Sequence, residues 1–339
     1  MARVTLTDVG ARAGVSRSTA SLVIRGSEKI PAPTRQRVLR AADELGYVYN
    51  RQAAAMRQQR SYTVGLVVTD IRNPYFADLA MAVDAAIGAA GYQLLVGYSH
   101  NAVDRQRDLL EAFAQRRVDG VLVLPAVGEE KTLGAESLTS AGVPLVQVTR
   151  HLTDEFDYVG PDNVTAGRLL AGHLGSLGVS SVVFVGGPAA SSSRAERLAG
   201  LADGLTGSGV HFDPRRSSIG PNIPEGGISA VAAVLDRGDL PDALVAYSDA
   251  IALGVYAELR RRGIRPGRDV AVAGFDDIAL SSMQSPALTT VATHAEQVAR
   301  EASRLLLRRI EGGDEAPARE LVEPTLRIRA STTRWRRRG

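Results

Sequence analysis

The stretch VTLTDVGARAGVSRSTASLVI, Val4–Ile24, decides how the chain begins and what that beginning can touch. Thr5 followed three residues later by Asp8 is a capping-box pair, in which each side chain takes up a backbone N–H that a helix start leaves free. Leu6, Val9 and Ala13 then recur at helical spacing. Gly14 supplies the positive φ that a sharp turn between helices uses, Val15 plugs the angle, and Ser16 caps a second helix. On that helix Arg17, Ser18, Ser21 and Leu22 point outward, while Thr19, Ala20 and Val23 pack or face the backbone. Two short helices joined this way form a helix-turn-helix, which lays its second helix in the DNA major groove. Arg and Ser at the start of that helix suit phosphates and base edges.

Charge follows the same division. Residues 1–60 carry eleven Arg or Lys against four Asp or Glu, a net +7, whereas the whole chain is only +3 and the remaining 279 residues sum to −4. A basic head on a mildly acidic body is the asymmetry of a DNA-binding domain attached to something else.

At 339 residues the chain holds two or three domains, and 45% hydrophobic residues suffice for substantial cores. No run of eighteen apolar residues suggests a membrane span. The capped helix at the very start leaves no room for a secretory leader, so a cytoplasmic location is expected. The absence of cysteine removes disulfides and thiolate metal sites, and five scattered His give no ligand cluster. No cofactor is expected.

A third helix is predicted over Thr34–Leu45, with Val38, Leu39, Ala42 and Leu45 at helical spacing, Pro33 in its first turn and Gly46 as its stop. In Tyr47–Ser61, the Ala-rich centre Asn50–Arg57 has little apolar surface to bury. It is marginal as an isolated helix and reads as a linker that folds on DNA or against a copy of itself. From Tyr62 onward apolar runs of strand length (TVGLVVT, YQLLVGY, GVLVLPA and VPLVQVT) alternate with helices over Tyr75–Ala90, Asp104–Arg116 and Glu129–Ala141. The rhythm repeats with SVVFVGG, ALVAYSD and VAVAGFD. The helices of this second series are predicted over Thr165–Leu177, Arg194–Leu205, Gly226–Asp236, Ala250–Arg262 and His294–Glu311. Continuous apolar strands between helices mean parallel sheets covered on both faces. Two such series give two α/β lobes whose strand ends can share a ligand cleft. Ser191, Ser192 and Ser193 lead into a helix with Arg194 and Arg197, and this start reads either as an anion site or as a polar loop with a serine cap.

The ordered set of motifs resembles the lactose-repressor (LacI/GalR) family of bacterial transcription regulators. Its marks are VTLTDVGARAGVS, TRQRV (Thr34–Val38), ELGYVYNRQA (Glu44–Ala53), NPYF (Asn73–Phe76) and RRVDGVLVL (Arg116–Leu124). The set continues with YVGPDN (Tyr158–Asn163), RLAG (Arg197–Gly200), PDALVAYSD (Pro241–Asp249) and VAGFDDI (Val272–Ile278). The resemblance implies a helix-turn-helix domain at 1–46, a hinge at 47–61 and a two-lobed, periplasmic-binding-protein-like body at 62–330, with a basic tail at 331–339. One lobe spans about 62–161 plus 292–324, the other about 162–291 plus 325–330. It implies double-stranded operator DNA as partner and a recognition helix over Ser16–Arg25, with Arg17 and Ser18 reading bases. Leu22 stands where the lactose repressor has an arginine and would meet a thymine methyl. Thr5, Ser16, Thr19, Ser21 and Asn50 are implied as phosphate or capping contacts. Arg25 and Ala53 complete the DNA-facing set, and Met56 takes the place of a minor-groove wedge.

In the body the resemblance implies a small polar effector, a carbohydrate or nucleoside-like molecule, held by Asp276 and Arg197. Tyr75 and Phe76 form an apolar wall, and Asp249, Ser191 and Ser193 join the site. Ser248 stands where the family commonly has Asn. A tail without leucine heptads implies a homodimer. Induction and corepression are both compatible with these residues. The competing readings are a sugar-binding protein without DNA function, which the basic head opposes, and a Rossmann enzyme. The latter is opposed by VTDIRNPYF standing where a glycine-rich loop would follow the first strand.

Overall fold

The computed structural model describes residues 4–24, 26–27, 29–47, 60–128, 132–238 and 240–335. It divides into two compact units, Met1–Ser61 and Tyr62–Gly339. Arg25, Asn50, Ala53 and Met56 lie outside the described residues, as does the Ala-rich segment Asn50–Arg57.

The first unit holds α1 (Leu6–Ala13), α2 (Arg17–Ile24) and α3 (Ala32–Glu44). Thr5 N donates to the Asp8 carboxylate at 2.8 Å and Asp8 N donates back to Thr5 Oγ1 at 3.4 Å, which closes the capping box. Gly14 adopts φ +66° and returns its N–H to α1. Ser16 Oγ accepts from Thr19 N at 3.1 Å and so caps α2. Val9, Ala13, Ala20, Val23, Val38, Ala41 and Ala42 form the core. Two expectations for the third helix need correction. It begins at Ala32, with Pro31 at the cap and Pro33 in the first turn. Leu39 is exposed, because Val38, Ala41 and Ala42 already fill the seam at i, i+3 and i+4.

The second unit contains two six-stranded sheets. The first lobe carries β1 (Thr63–Val68), α4 (Pro74–Ala89), β2 (Gln93–Tyr98), α5 (Val103–Gln115), β3 (Gly120–Val123), α6 (Glu136–Ser140), β4 (Leu145–Val148) and β5 (Asp157–Pro161). The second lobe follows with α7 (Asn163–Ser176), β6 (Ser181–Val185), α8 (Ser192–Leu205), β7 (His211–Phe212), α9 (Pro224–Leu235), β8 (Ala243–Ala246), α10 (Asp249–Arg261), β9 (Ala271–Asp276), α11 (Ala279–Met283) and β10 (Thr289–Ala292). The chain then returns to the first lobe through α12 (Ala295–Ile310) and β11 (Arg319–Val322). It crosses once more to finish the second with β12 (Thr325–Arg327) and α13 (Ala330–Thr333).

Strand order is β11-β5-β4-β3-β1-β2 in the first lobe and β12-β10-β9-β8-β6-β7 in the second. Every pairing is parallel except that of β10 with β12. Valines and leucines of β1, β3 and β4 pack under α4 and α12 on one face of the first sheet, and Leu110, Phe113 and Leu138 cover the other. Helices α7 and α8 pack backbone to backbone: a Cβ on Gly200 would lie 2.0 Å from Val164 O, so the last residue of RLAG is a contact where no side chain fits.

Two further expectations are overturned here. Of the helix predicted over Glu129–Ala141, residues 129–131 lie outside the described residues and the remainder is helical only over Glu136–Ser140, with Gly134 at φ +66° ahead of it. Residues 331–335 belong to the second lobe and not to the basic tail expected over 331–339. Ser331 Oγ donates to Val272 O at 2.6 Å, Thr332 is fully buried, and Trp335 joins the core of the second lobe.

Candidate functional site

The head offers one surface. Arg17, Ser18 and Leu22 are exposed on α2, while Thr19 and Ser21 are half-buried beside the core residues Ala20 and Val23. Ser16 Oγ lies 2.7 Å from Ser18 Oγ and 2.9 Å from Thr19 Oγ1, so three hydroxyls cluster at the N-terminus of this helix. A helix N-terminus carries partial positive charge and free N–H groups, and an arginine beside it makes the surface suited to anions.

The body places its polar groups where its strands end. A cavity of about 450 Å³ opens between the lobes. Thr69 follows β1, His100 and Asn101 follow β2, and Arg150 follows β4, with Asp70 and Arg72 completing the first-lobe wall. The second-lobe wall is Pro188, Ala189, Ile219, Gly220, Asn222 and their neighbours. This is the edge at which open α/β sheets present ligand-binding groups. Asp70 and Arg72 hold each other with three side-chain hydrogen bonds. Arg150 donates from Nε to Pro125 O at 2.6 Å and from Nη2 to Asn101 Oδ1 at 2.7 Å. Neither Arg150 nor Asn101 has a local sequence signal, because the two meet from positions 49 residues apart.

A buried polar cluster also forms where the lobes meet. Asp276 ends β9 at φ +112° and Asp277 follows at +56°, a backbone strain that turns the chain out of the strand. The Asp276 carboxylate accepts from Arg197 Nη2 at 3.3 Å and from Thr293 Oγ1 at 3.4 Å. Arg197 also donates to Asn163 Oδ1 at 2.8 Å and to the Tyr247 carbonyl, and its guanidinium lies over the Phe275 and Tyr247 rings. Burial pushes the Asp276 carboxyl up to about 6, against the pull of Arg197 and Thr293. From the first lobe, Tyr75 is buried beside this pair, and burial followed by the charge on Asp276 raises its hydroxyl. The Tyr75 hydroxyl makes no hydrogen bond. Phe76 packs edge-on against Tyr75 with 5.5 Å between centroids. The structure thus brings Tyr75, Phe76, Arg197 and Asp276 to one place.

Asp249 does not join them. Its carboxylate is fully buried and accepts from Ile278 N (3.2 Å), Ser281 Oγ (2.6 Å) and Thr290 Oγ1 (2.7 Å), which ties α11 and β10 to α10. The expectation that it faces a ligand is corrected, since its oxygens are committed to the fold. Ser191 and Ser193 are likewise taken up, their hydroxyls 2.8 Å apart and that of Ser193 2.9 Å from Tyr247 Oη. An anion site at this helix start would need those groups free. Ser248 caps α10 and reaches Asn222 on the cavity wall.

A bridge of charges spans the lobes beside the cluster. Glu196 meets His151 at 3.2 Å, Arg319 at 3.1 Å and Asn163 at 3.0 Å. Burial works to raise the Glu196 carboxyl, but the hydrogen bonds from His151 and Asn163 outweigh it and hold the group below its ordinary value.

With this geometry in view, comparison with known proteins is direct. Residues 5–50 match the bacterial regulatory proteins of the lacI family, and residues 171–332 match the periplasmic binding protein-like domain. The transcriptional regulator CelR of Thermobifida fusca is 34% identical over 337 residues, covering 97% of this chain and 98% of its own. A solved CelR–cellobiose complex superimposes with TM-score 0.73 at 34% identity, covering 97% of this chain and all of the other. The lac repressor dimer bound to operator and the anti-inducer ONPF superimposes with TM-score 0.84 at 25% identity, covering 98% and 99%. The fold and site define a helix-turn-helix transcriptional regulator with a periplasmic-binding-protein-like body, not an enzyme. The chain belongs to the lacI family of bacterial regulatory proteins. Among the described residues no helix is long and apolar enough to cross a membrane.

Proposed function

We propose that the protein is a cytoplasmic repressor that binds a near-palindromic operator as a homodimer and is controlled by a small polyhydroxylated effector in the inter-lobe cleft. The observation that carries the effector reading is the convergence of Arg197, Asp276 and Tyr75 from the two lobes, joined through Tyr247 to Arg150 on the wall of the inter-lobe cavity that Asn101 and Asn222 also line. A carboxylate and a guanidinium side by side accept from and donate to neighbouring hydroxyls, which is how a sugar or ribose ring is held. A ligand that touches both lobes stabilises their closed arrangement, and the difference in affinity between arrangements is what can be transmitted to DNA binding. The lac repressor dimer on its operator supports the dimeric, two-fold reading, and the CelR–cellobiose complex supports a carbohydrate.

In this reading Arg17, Ser18 and Leu22 read bases, the hydroxyls of Thr5, Ser16, Thr19 and Ser21 serve phosphates or caps, and Met56 wedges the minor groove. Two measurements test the proposal. Footprinting on operator fragments selected from random DNA shows a two-fold site, and a single unrepeated half-site defeats the dimer reading. A panel of mono- and disaccharides, sugar acids, sugar phosphates and nucleosides, cellobiose among them, contains a compound that raises the melting temperature and changes operator affinity. If none does either, the cleft reading fails.

A further inference from the structure

Arg150 is the charge in the cavity wall that the protein leaves unanswered. Only 4% of it is exposed, and it lines the space between the lobes. It donates to Pro125 O and Asn101 Oδ1, the Tyr247 hydroxyl also faces it, and it pairs with no carboxylate among the described residues. The other charges around the cavity do not supply the deficit. Asp70 is the carboxylate of the wall, and Arg72 already holds it bidentately, with Glu225 adding to the negative charge that Arg72 senses. The second-lobe wall, Pro188–Ala189 and Ile219–Ile223, carries no charged side chain. Behind it Arg194 donates to the carbonyls of Gly186 and Ser218 and likewise pairs with no carboxylate. Arg197 and Asp276 cancel each other. The site therefore carries an excess of buried positive charge.

A guanidinium taken out of water without a counter-ion is costly, and the deficit is made good when an anion arrives. The planar fork of arginine matches carboxylate and phosphate oxygens in particular. We infer that the effector is an anionic polyol, a sugar acid or a sugar phosphate, whose charged group docks at Arg150 while its hydroxyls lie toward Arg197 and Asp276. This rests on the cleft reading proposed above and adds the charge of the ligand. It also moves the anion away from Ser191 and Ser193, whose hydroxyls are already bonded.

The test pairs each neutral sugar with its acidic counterparts: D-glucose with D-glucuronate, D-gluconate and glucose 6-phosphate, and D-galactose with D-galacturonate. Calorimetry and melting curves on the full-length protein measure binding, with inorganic phosphate alone as a control for charge without hydroxyls. At least one acidic member is expected to bind about tenfold or more tightly than its neutral partner, the scale of one charge-assisted hydrogen bond. Whether carboxylates or the phosphate ester take the lead separates the two sources of charge. Arg150→Gln is expected to erase that preference, and Arg150→Lys to keep part of it, with the fold of each variant checked by its melting curve. Should Arg150→Gln fail to fold, the neutral-against-acidic comparison on the unmodified protein decides alone. Neutral sugars that bind as well as their acids overturn this inference and leave the cleft reading standing. If neither series binds, the cleft reading falls and this inference with it.

Discussion

In the head, Arg17, Ser18 and Leu22 stand in solvent within six residues of one another, whereas in the body Arg197 and Asp276 meet across 79 residues and are sealed from water. The first arrangement is a surface ready for a partner that brings its own charge and needs no rearrangement to be reached. The second is a closed polar interior whose groups satisfy one another until something replaces them. Exposed charge acts through counter-ion release and is screened by salt. Buried charge acts through desolvation and geometry and is screened little. Substitutions in the two regions should therefore fail in different ways.

The largest effect is expected from Asp249→Ala, which leaves the Ile278 N–H and the Ser281 and Thr290 hydroxyls without their acceptor inside the fold. At about 1–3 kcal/mol for each buried group left unsatisfied, the body should lose roughly 3 kcal/mol or more and melt several degrees early. Normal melting with lost ligand binding would return Asp249 to the site. Next, Arg197→Ala should cost the effector response about tenfold or more and leave basal operator binding largely intact, since it removes charge-assisted bonds worth about 1.5–3 kcal/mol each. An unchanged dose-response curve removes Arg197 from the site.

Arg17→Ala is the matching change in the head. It should cost about 1–3 kcal/mol on operator and much less on random DNA, with effector binding untouched. Equal losses on both DNAs mean that Arg17 meets only phosphate.

The smallest effect is a matter of pH. The folded Asp276 carboxyl sits at about 6, above its ordinary 3.8. The native chain therefore takes up a proton between those values before the unfolded chain does, so this group favours the fold more at about pH 4 than at pH 7. Ligand hydroxyls lose their anionic acceptor over the same range, so effector affinity should weaken as pH falls through about 6, and Asp276→Asn should flatten that dependence. A slope unchanged in Asp276→Asn assigns the titration elsewhere.

The comparison also explains what the sequence discloses. Thr5 with Asp8, Gly14 and Ser16 act on neighbours within four residues, so the head is legible from local chemistry alone. The parallel strands of the body announce themselves as apolar runs. The short edge strands β7, β11 and β12 have too few residues to show a period, and their pairing is set by partners far along the chain. Asp249 and Asp276 look alike in sequence, each an aspartate after an apolar strand. What separates them is their partners: Ser281 and Thr290 close over the first, while the strained exit of β9 presents the second to Arg197. Arg150 is visible only once Asn101 and Pro125 have been brought to it.

The three crossings between lobes have a consequence for how the protein is made. The first lobe begins at β1, yet α12, which covers one face of its sheet, spans Ala295–Ile310, and its sixth strand ends at Val322. A ribosome has to deliver the chain through Val322 before that lobe can be completed. The second lobe waits for β12 and for Ser331 and Trp335 beyond it. Both are expected to close together only once the chain has been made through Trp335, and a chain truncated before the final return should yield no independently folded half.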